Sequence, residues 1–282
     1  MIVDAHCHAW PSWPYDPKVP DATTRGTAPM LDHVLERHGI DHAVVVAANL
    51  GASGTPEDDD DAYVARLATS DPDRYTAVAD LDSFWSPSYG TPGMSDRLAR
   101  ITDAGPFRGV AHYVRGDDDG HLLSDDALSA WRHAERSRLV VGVHAPPAWH
   151  SSVLALAAKL PDLTIVLHHQ GLVTDEVALD GLLTLAARPN ILLKASGFHH
   201  LVDEPWRFPF APALERFEAI VDAFGPDRLM WGSDYPVCEK HGIGYRQALE
   251  AVRTECRFLD AAALDAVLGG TAARVFGLAA AS

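Results

Sequence analysis

Leu163-Thr164-Ile165-Val166-Leu167-His168-His169 is the stretch on which the fold turns. A short, mostly apolar run stops abruptly at two histidines. Such a run, without polar alternation, suits a strand buried on both faces, and parallel strands covered by helices are the usual case. The same form recurs along the chain, as in Ala43-Val44-Val45-Val46-Ala47. Strand candidates fall at 2–8, 41–48, 74–81, 107–113, 139–145, 163–169, 190–197 and 227–234. Amphipathic helical patterns separate them, for example Asp125–Arg136, Ser151–Leu160 and Asp175–Arg188. Eight strands alternating with helices predict an α/β chain folded as a (β/α)8 TIM barrel, with a doubly wound open sheet as the rival. No stretch reads as an interdomain linker, so 1–282 is expected to be one domain.

The connections are unequal. Segments running into strands are tight, such as Asp71-Pro72-Asp73 and Gly225-Pro226. Segments leaving strands are long and rich in Gly, Pro and aromatics: Ala9–Pro29, Asn49–Asp60, Asp82–Gly93, Arg115–Ser124 and Phe198–Pro212. Barrels of this kind build their active sites from the loops at the C-terminal strand ends. The long loops could also serve association, and a homodimer is one expectation.

Bulk properties narrow the classes of function. The 282 residues are 47% hydrophobic and 22% charged, as in ordinary soluble proteins. A net charge of -16 argues against nucleic-acid and anionic-membrane partners and leaves a small-molecule substrate. The acidic runs Glu57–Asp61 and Asp117–Asp119 read as solvated loops or a helix start. Three cysteines without paired spacing offer no disulfide framework, which points to a reduced, cytoplasmic setting.

Chemistry gathers at the strand ends. The first strand ends in His6-Cys7-His8, the fifth in His144, the sixth in His168-His169 and the eighth in Asp234. Residues two apart in a strand share a face, so His6 and His8 aim the same way. Several buried polar groups converging on one place need a common partner. A divalent cation is the simplest, and imidazoles with a carboxylate suit Zn2+ or a similar first-row ion such as Mn2+. His6, His8, His144 and Asp234 are the expected ligands. Period-2 alternation puts Asp4 beside His6, Val140 and Gly142 beside His144, and Met230 and Gly232 beside Asp234. It also makes His169 inward with Ile165 and Leu167, and sends His168 to the helix layer. Trp85 and Tyr113 lie where a ring or sugar face could pack, Lys194 lies in an apolar strand where it could bind substrate, and Arg115 could grip a carboxylate. His199-His200 is a further candidate substrate contact.

Taken together, Asp4-Ala5-His6-Cys7-His8, Val143-His144-Ala145-Pro146-Pro147, His168-His169-Gln170-Gly171 and Trp231-Gly232-Ser233-Asp234-Tyr235-Pro236 resemble the amidohydrolase superfamily. More narrowly they are similar to its amidohydrolase-related branch of lactonases and metal-dependent decarboxylases. Phe107-Arg108-Gly109-Val110 and Leu193-Lys194-Ala195-Ser196-Gly197 resemble the lactonase side. The resemblance implies His6, His8, His144 and Asp234 as ligands and His169 as a catalytic histidine. The lactonase pattern has Asp where this chain has His168. No lysine ends the fourth strand, which argues against a carboxylated-lysine two-metal centre. Some lactonases of the branch work without metal, so the need for the ion stays open. The resemblance implies ring opening of a sugar lactone or pyrone carboxylate, with Asp234 as the base, and non-oxidative decarboxylation as the alternative.

Overall fold

The computed structural model describes residues 1–15, 19–50 and 59–279. Eight strands form one parallel sheet in chain order: β1 (Val3–Cys7), β2 (His42–Val46), β3 (Tyr75–Asp80), β4 (Phe107–Tyr113), β5 (Val140–His144), β6 (Ile165–Leu167), β7 (Ile191–Ala195) and β8 (Leu229–Trp231). Each lies inside one expected segment. A doubly wound sheet reverses its strand order at a switch point. Here the order runs straight through and the last strand returns to the first, which makes the fold a (β/α)8 barrel.

Closure is made by residues near the site. Asp234 N–H donates to the His6 carbonyl at 2.8 Å and His8 N–H to the Tyr235 carbonyl at 2.7 Å. Gly232 permits the approach, because a Cβ there would lie 2.5 Å from His6 Cβ. The buried Asp4 carboxylate accepts from Ser233 N–H (2.9 Å), Ser233 Oγ (2.6 Å) and the Tyr245 hydroxyl (2.8 Å), stapling β1 to the chain after β8.

Eight longer helices follow the strands in turn: Ala28–His38, Asp60–Ser70, Met94–Ala104, Asp125–Arg136, His150–Lys159, Glu176–Leu183, Ala211–Phe224 and Tyr245–Arg253. The strands feed two apolar layers. Val45, Val141, Ile165, Leu167, Leu193 and Trp231 join the helix layer, while Val44, Val78, Ala111, Val166, Leu192 and Met230 fill the lumen. Ala272 and Phe276 of the terminal helix Thr271–Phe276 pack with the lumen set and plug the end opposite the active face.

Three details depart from the sequence reading. β6 and β8 are three residues each, because the backbone turns left-handed at His169 (φ 48°) and Asp234 (φ 59°). The sixth helical pattern is α-helical only to Leu183 and tightens to 3-10 turns over Thr184–Ala187. The first acidic run is only partly solvated. Glu57 and Asp58 lie outside the described residues. Asp59 caps the second helix through Ala62 N–H, but Asp60 and Asp61 turn inward. They accept backbone N–H groups of Ala48 and Asp80, fixing the exits of β2 and β3.

Candidate active site

The site is built round Asp234, fully buried at the mouth of the barrel. Its Oδ1 faces three imidazole nitrogens: His6 Nε2 at 3.5 Å, His8 Nε2 at 3.7 Å and His169 Nε2 at 3.8 Å. Its Oδ2 accepts from His200 Nε2 at 2.9 Å. Burial pushes the Asp234 carboxyl up, but His169, the hydrogen bond from His200 and the nearby His6 and His8 rings outweigh it and hold the group well below the ordinary range. Asp234 is therefore a carboxylate at neutral pH. The imidazoles of His6, His169 and His144 are driven the other way, chiefly by burial, His144 to about 4, so they are neutral bases.

The outer nitrogens show which lone pairs face inward. His8 Nδ1 lies 2.7 Å from the Val46 carbonyl, which can only accept. His8 therefore carries its proton on Nδ1 and offers an Nε2 lone pair to the site. His169 Nδ1 is held by Ser196 Oγ at 3.0 Å. His6 Nδ1 meets Lys194 Nζ at 2.8 Å, and its buried Nε2 has no hydrogen-bond partner. Lys194 is fully enclosed and burial lowers its ammonium to about 7, so a neutral amine can accept from His6 Nδ1–H. His6, His169 and Asp234 bring their donor atoms within 4.8 Å of one another. The gaps of 3.5–3.8 Å are too long for hydrogen bonds, yet close to the edge of roughly 3.3–3.5 Å expected when N and O ligands surround one ion at about 2.0–2.2 Å. The donor set and the orphaned His6 nitrogen fit a divalent cation.

His6, His8, Asp234 and His169 meet at one place, as expected from the strand ends. His144 stands farther out: its ring is 5.7 Å from that of His169 and stacks on Tyr113 at 5.1 Å. The assignment of His168 to the helix layer is corrected. Alternation makes Val166 and His168 inward, while Ile165 and Leu167 join the helix layer. The His168 ring lies 4.5 Å from that of His6, over Gly142, where a Cβ would meet its Nε2 at 2.6 Å. His169 enters the site for a different reason. Its left-handed backbone begins a turn that swings its ring back over the mouth.

The expected substrate residues divide. Tyr113 is buried with its hydroxyl unpartnered, and Trp85 packs on it at 4.7 Å while donating to Asp80. Arg115 is exposed and lies over Phe84 at 4.6 Å. His199 is buried against His200, and it is His200 that touches Asp234. Ser196 went unassigned in the sequence reading, and His200 was read there only with His199 as a substrate contact. Continuing the alternation of β7 through Leu192 and Lys194 would have reached Ser196.

The family model described as Amidohydrolase matches residues 3–278. The chain belongs to the amidohydrolase family. An L-fucono-1,5-lactonase of Burkholderia ambifaria is 29% identical over 97% of this chain and 94% of its own length. The enzyme of that name from Burkholderia multivorans is 30% identical over 86% of this chain and 84% of its own length. An amidohydrolase of Burkholderia multivorans, solved with bound zinc, superimposes with a TM-score of 0.78 at 24% identity, covering 99% of this chain and 100% of that one. This amidohydrolase is thus a hydrolytic enzyme, with its polar strand ends gathered at one end of the barrel. Among its described residues no helix is long and apolar enough to cross a membrane.

Proposed function

We propose that this amidohydrolase opens small, uncharged cyclic esters, with sugar 1,5-lactones as the substrate class and a divalent cation, Zn2+ foremost, in the site. One observation carries the reading: a buried carboxylate faces three imidazole nitrogens at 3.5–3.8 Å, one of them with no other partner. His6, His8, Asp234 and His169 would hold the cation, with His144 beside them. Bound there, it supplies Lewis acidity, polarising an ester carbonyl and making a water acidic near neutral pH.

The protein's own groups account for the rest. Asp234 is held strongly ionised, so it is a weak base suited to a water already made acidic, and it passes the proton to the departing alkoxide. The Ser196 hydroxyl lies 3.0 Å from His169 Nδ1 and fixes that ring with its Nε2 turned toward Asp234. Tyr113 offers its free hydroxyl to a ring substituent, and Trp85 and Trp10, the latter stacked on His8 at 5.1 Å, wall the cleft. The names of the two lactonase relatives support the same class. Three unpaired cysteines accord with a cytoplasmic setting.

The test is ring opening of L-fucono-1,5-lactone and related sugar lactones, beside 2-pyrone-4,6-dicarboxylate, by zinc-loaded and chelated protein. Preference for the sugar lactones, lost on chelation, is expected. Carbon dioxide release from hydroxy-aromatic acids with no lactone opening would replace hydrolysis by decarboxylation.

A further inference from the structure

Three histidines lie just outside the Asp234 group. His199 and His200 follow β7 in the short 3-10 segment Phe198–Leu201, and His241 comes from the loop after β8. Each offers a nitrogen within 4.8 Å of the others. The ring centres are 4.0 Å apart for His199 and His200, 5.3 Å for His199 and His241, and 4.9 Å for His200 and His241. Imidazoles sharing one ion at about 2.0–2.1 Å keep ring centres roughly 5 Å apart. His199 is 3% exposed, and its Nε2 has no hydrogen-bond partner. An unpaired nitrogen in that setting costs stability unless something binds it.

We propose that His199, His200 and His241 form a second transition-metal site at the rim of the barrel, separate from the Asp234 group and coupled to it through His200. Three imidazoles without a carboxylate select a borderline first-row ion such as Zn2+ over Mg2+ or Ca2+. Burial lowers His199 to about 3 and also lowers His241, so both are neutral and able to ligate at physiological pH. His241 is exposed, so the site opens to solvent and fills from it. His200 bonds to Asp234 at 2.9 Å, which places the second ion's charge beside the carboxylate. The binding claim is independent of the substrate class.

Tag-free protein, stripped with chelator and dialysed against Zn2+, distinguishes the outcomes by elemental analysis. Two equivalents are expected for the wild type, one for His241→Ala, and one for His6→Ala. One equivalent in the wild type, retained by His241→Ala and lost in His6→Ala, overturns the rim site and leaves the Asp234 centre standing. One equivalent lost in His241→Ala but kept in His6→Ala supports the rim site and removes the Asp234 centre. His199→Gln provides a second variant should His241→Ala fold poorly, with the same loss of one equivalent expected.

Discussion

Asp234 is the residue round which the candidate site is gathered, and its environment keeps it ionised. Asp234→Asn keeps the shape and removes the charge. Lactone opening should fall about 10²- to 10⁴-fold with the fold intact, as measured by initial rates beside circular dichroism. Lys194 sets a pH limit from beneath. Below pH about 7 it is an ammonium that donates to His6 Nδ1, forcing the His6 proton to Nε2 and spoiling that nitrogen as a ligand. Above about 7 the amine accepts instead and the lone pair is released. Zinc affinity and rate should therefore climb as pH rises through about 7, and Lys194→Met should lose that limb. Stability carries its own sign. Between about 7 and 10.5 the unfolded chain holds a proton that the folded chain lacks, so wild-type stability rises with pH across that window. Lys194→Met should raise the melting temperature most at pH below 7, where a buried charge is exchanged for an apolar side chain. At this scale His6, His8 and Asp234 were legible, because the alternating count of β1 and β8 carries on to them, although Asp234 itself lies at a left-handed turn past the strand. His168 and His169 were not separable, since one enters by alternation and the other by a left-handed turn that leaves no periodic mark.

Between elements, the seam of β1 with β8 and the neighbourhood of β5 with β6 matter most. Asp4 serves four donors at the seam: Ser233 N–H, Ser233 Oγ, the Tyr245 hydroxyl and His6 N–H. Asp4→Ala strands them in the interior. At about 1–3 kcal/mol for each unsatisfied buried group, the variant should lose most of its stability, visible as a large drop in the urea midpoint. Gly142 marks where β5 lets the His168 ring lie flat against it. Gly142→Ala should push that ring out of place at a cost of about 1–3 kcal/mol, read from the same denaturation curve, with His6 disturbed next to it. The strands and their order could be read from apolar runs. The need for glycine at 142 and 232 could not, because it arises from a neighbour 26 residues ahead in one case and from the far end of the chain in the other.

The whole molecule separates stability from chemistry by its two ends. The terminal helix closes the lumen opposite the site, with Phe276 buried among residues that include Val44 and Met230. Phe276→Ala should cost about 3–5 kcal/mol while leaving the rate per folded molecule unchanged, as checked by thermal melts beside active-fraction kinetics. The chain by itself determined the barrel, the face on which loops and histidines gather, and the meeting of His6, His8 and Asp234 there. These follow from apolar periodicity and from the polarity of parallel strands, which are properties of short segments. Only the closed tertiary structure decided that His169 approaches the Asp234 carboxylate while His144 stacks on Tyr113, that Lys194 props His6, and that His200 reaches Asp234. Those outcomes depend on where ring nitrogens point once strands distant in sequence have curved round to meet, and no local pattern encodes that.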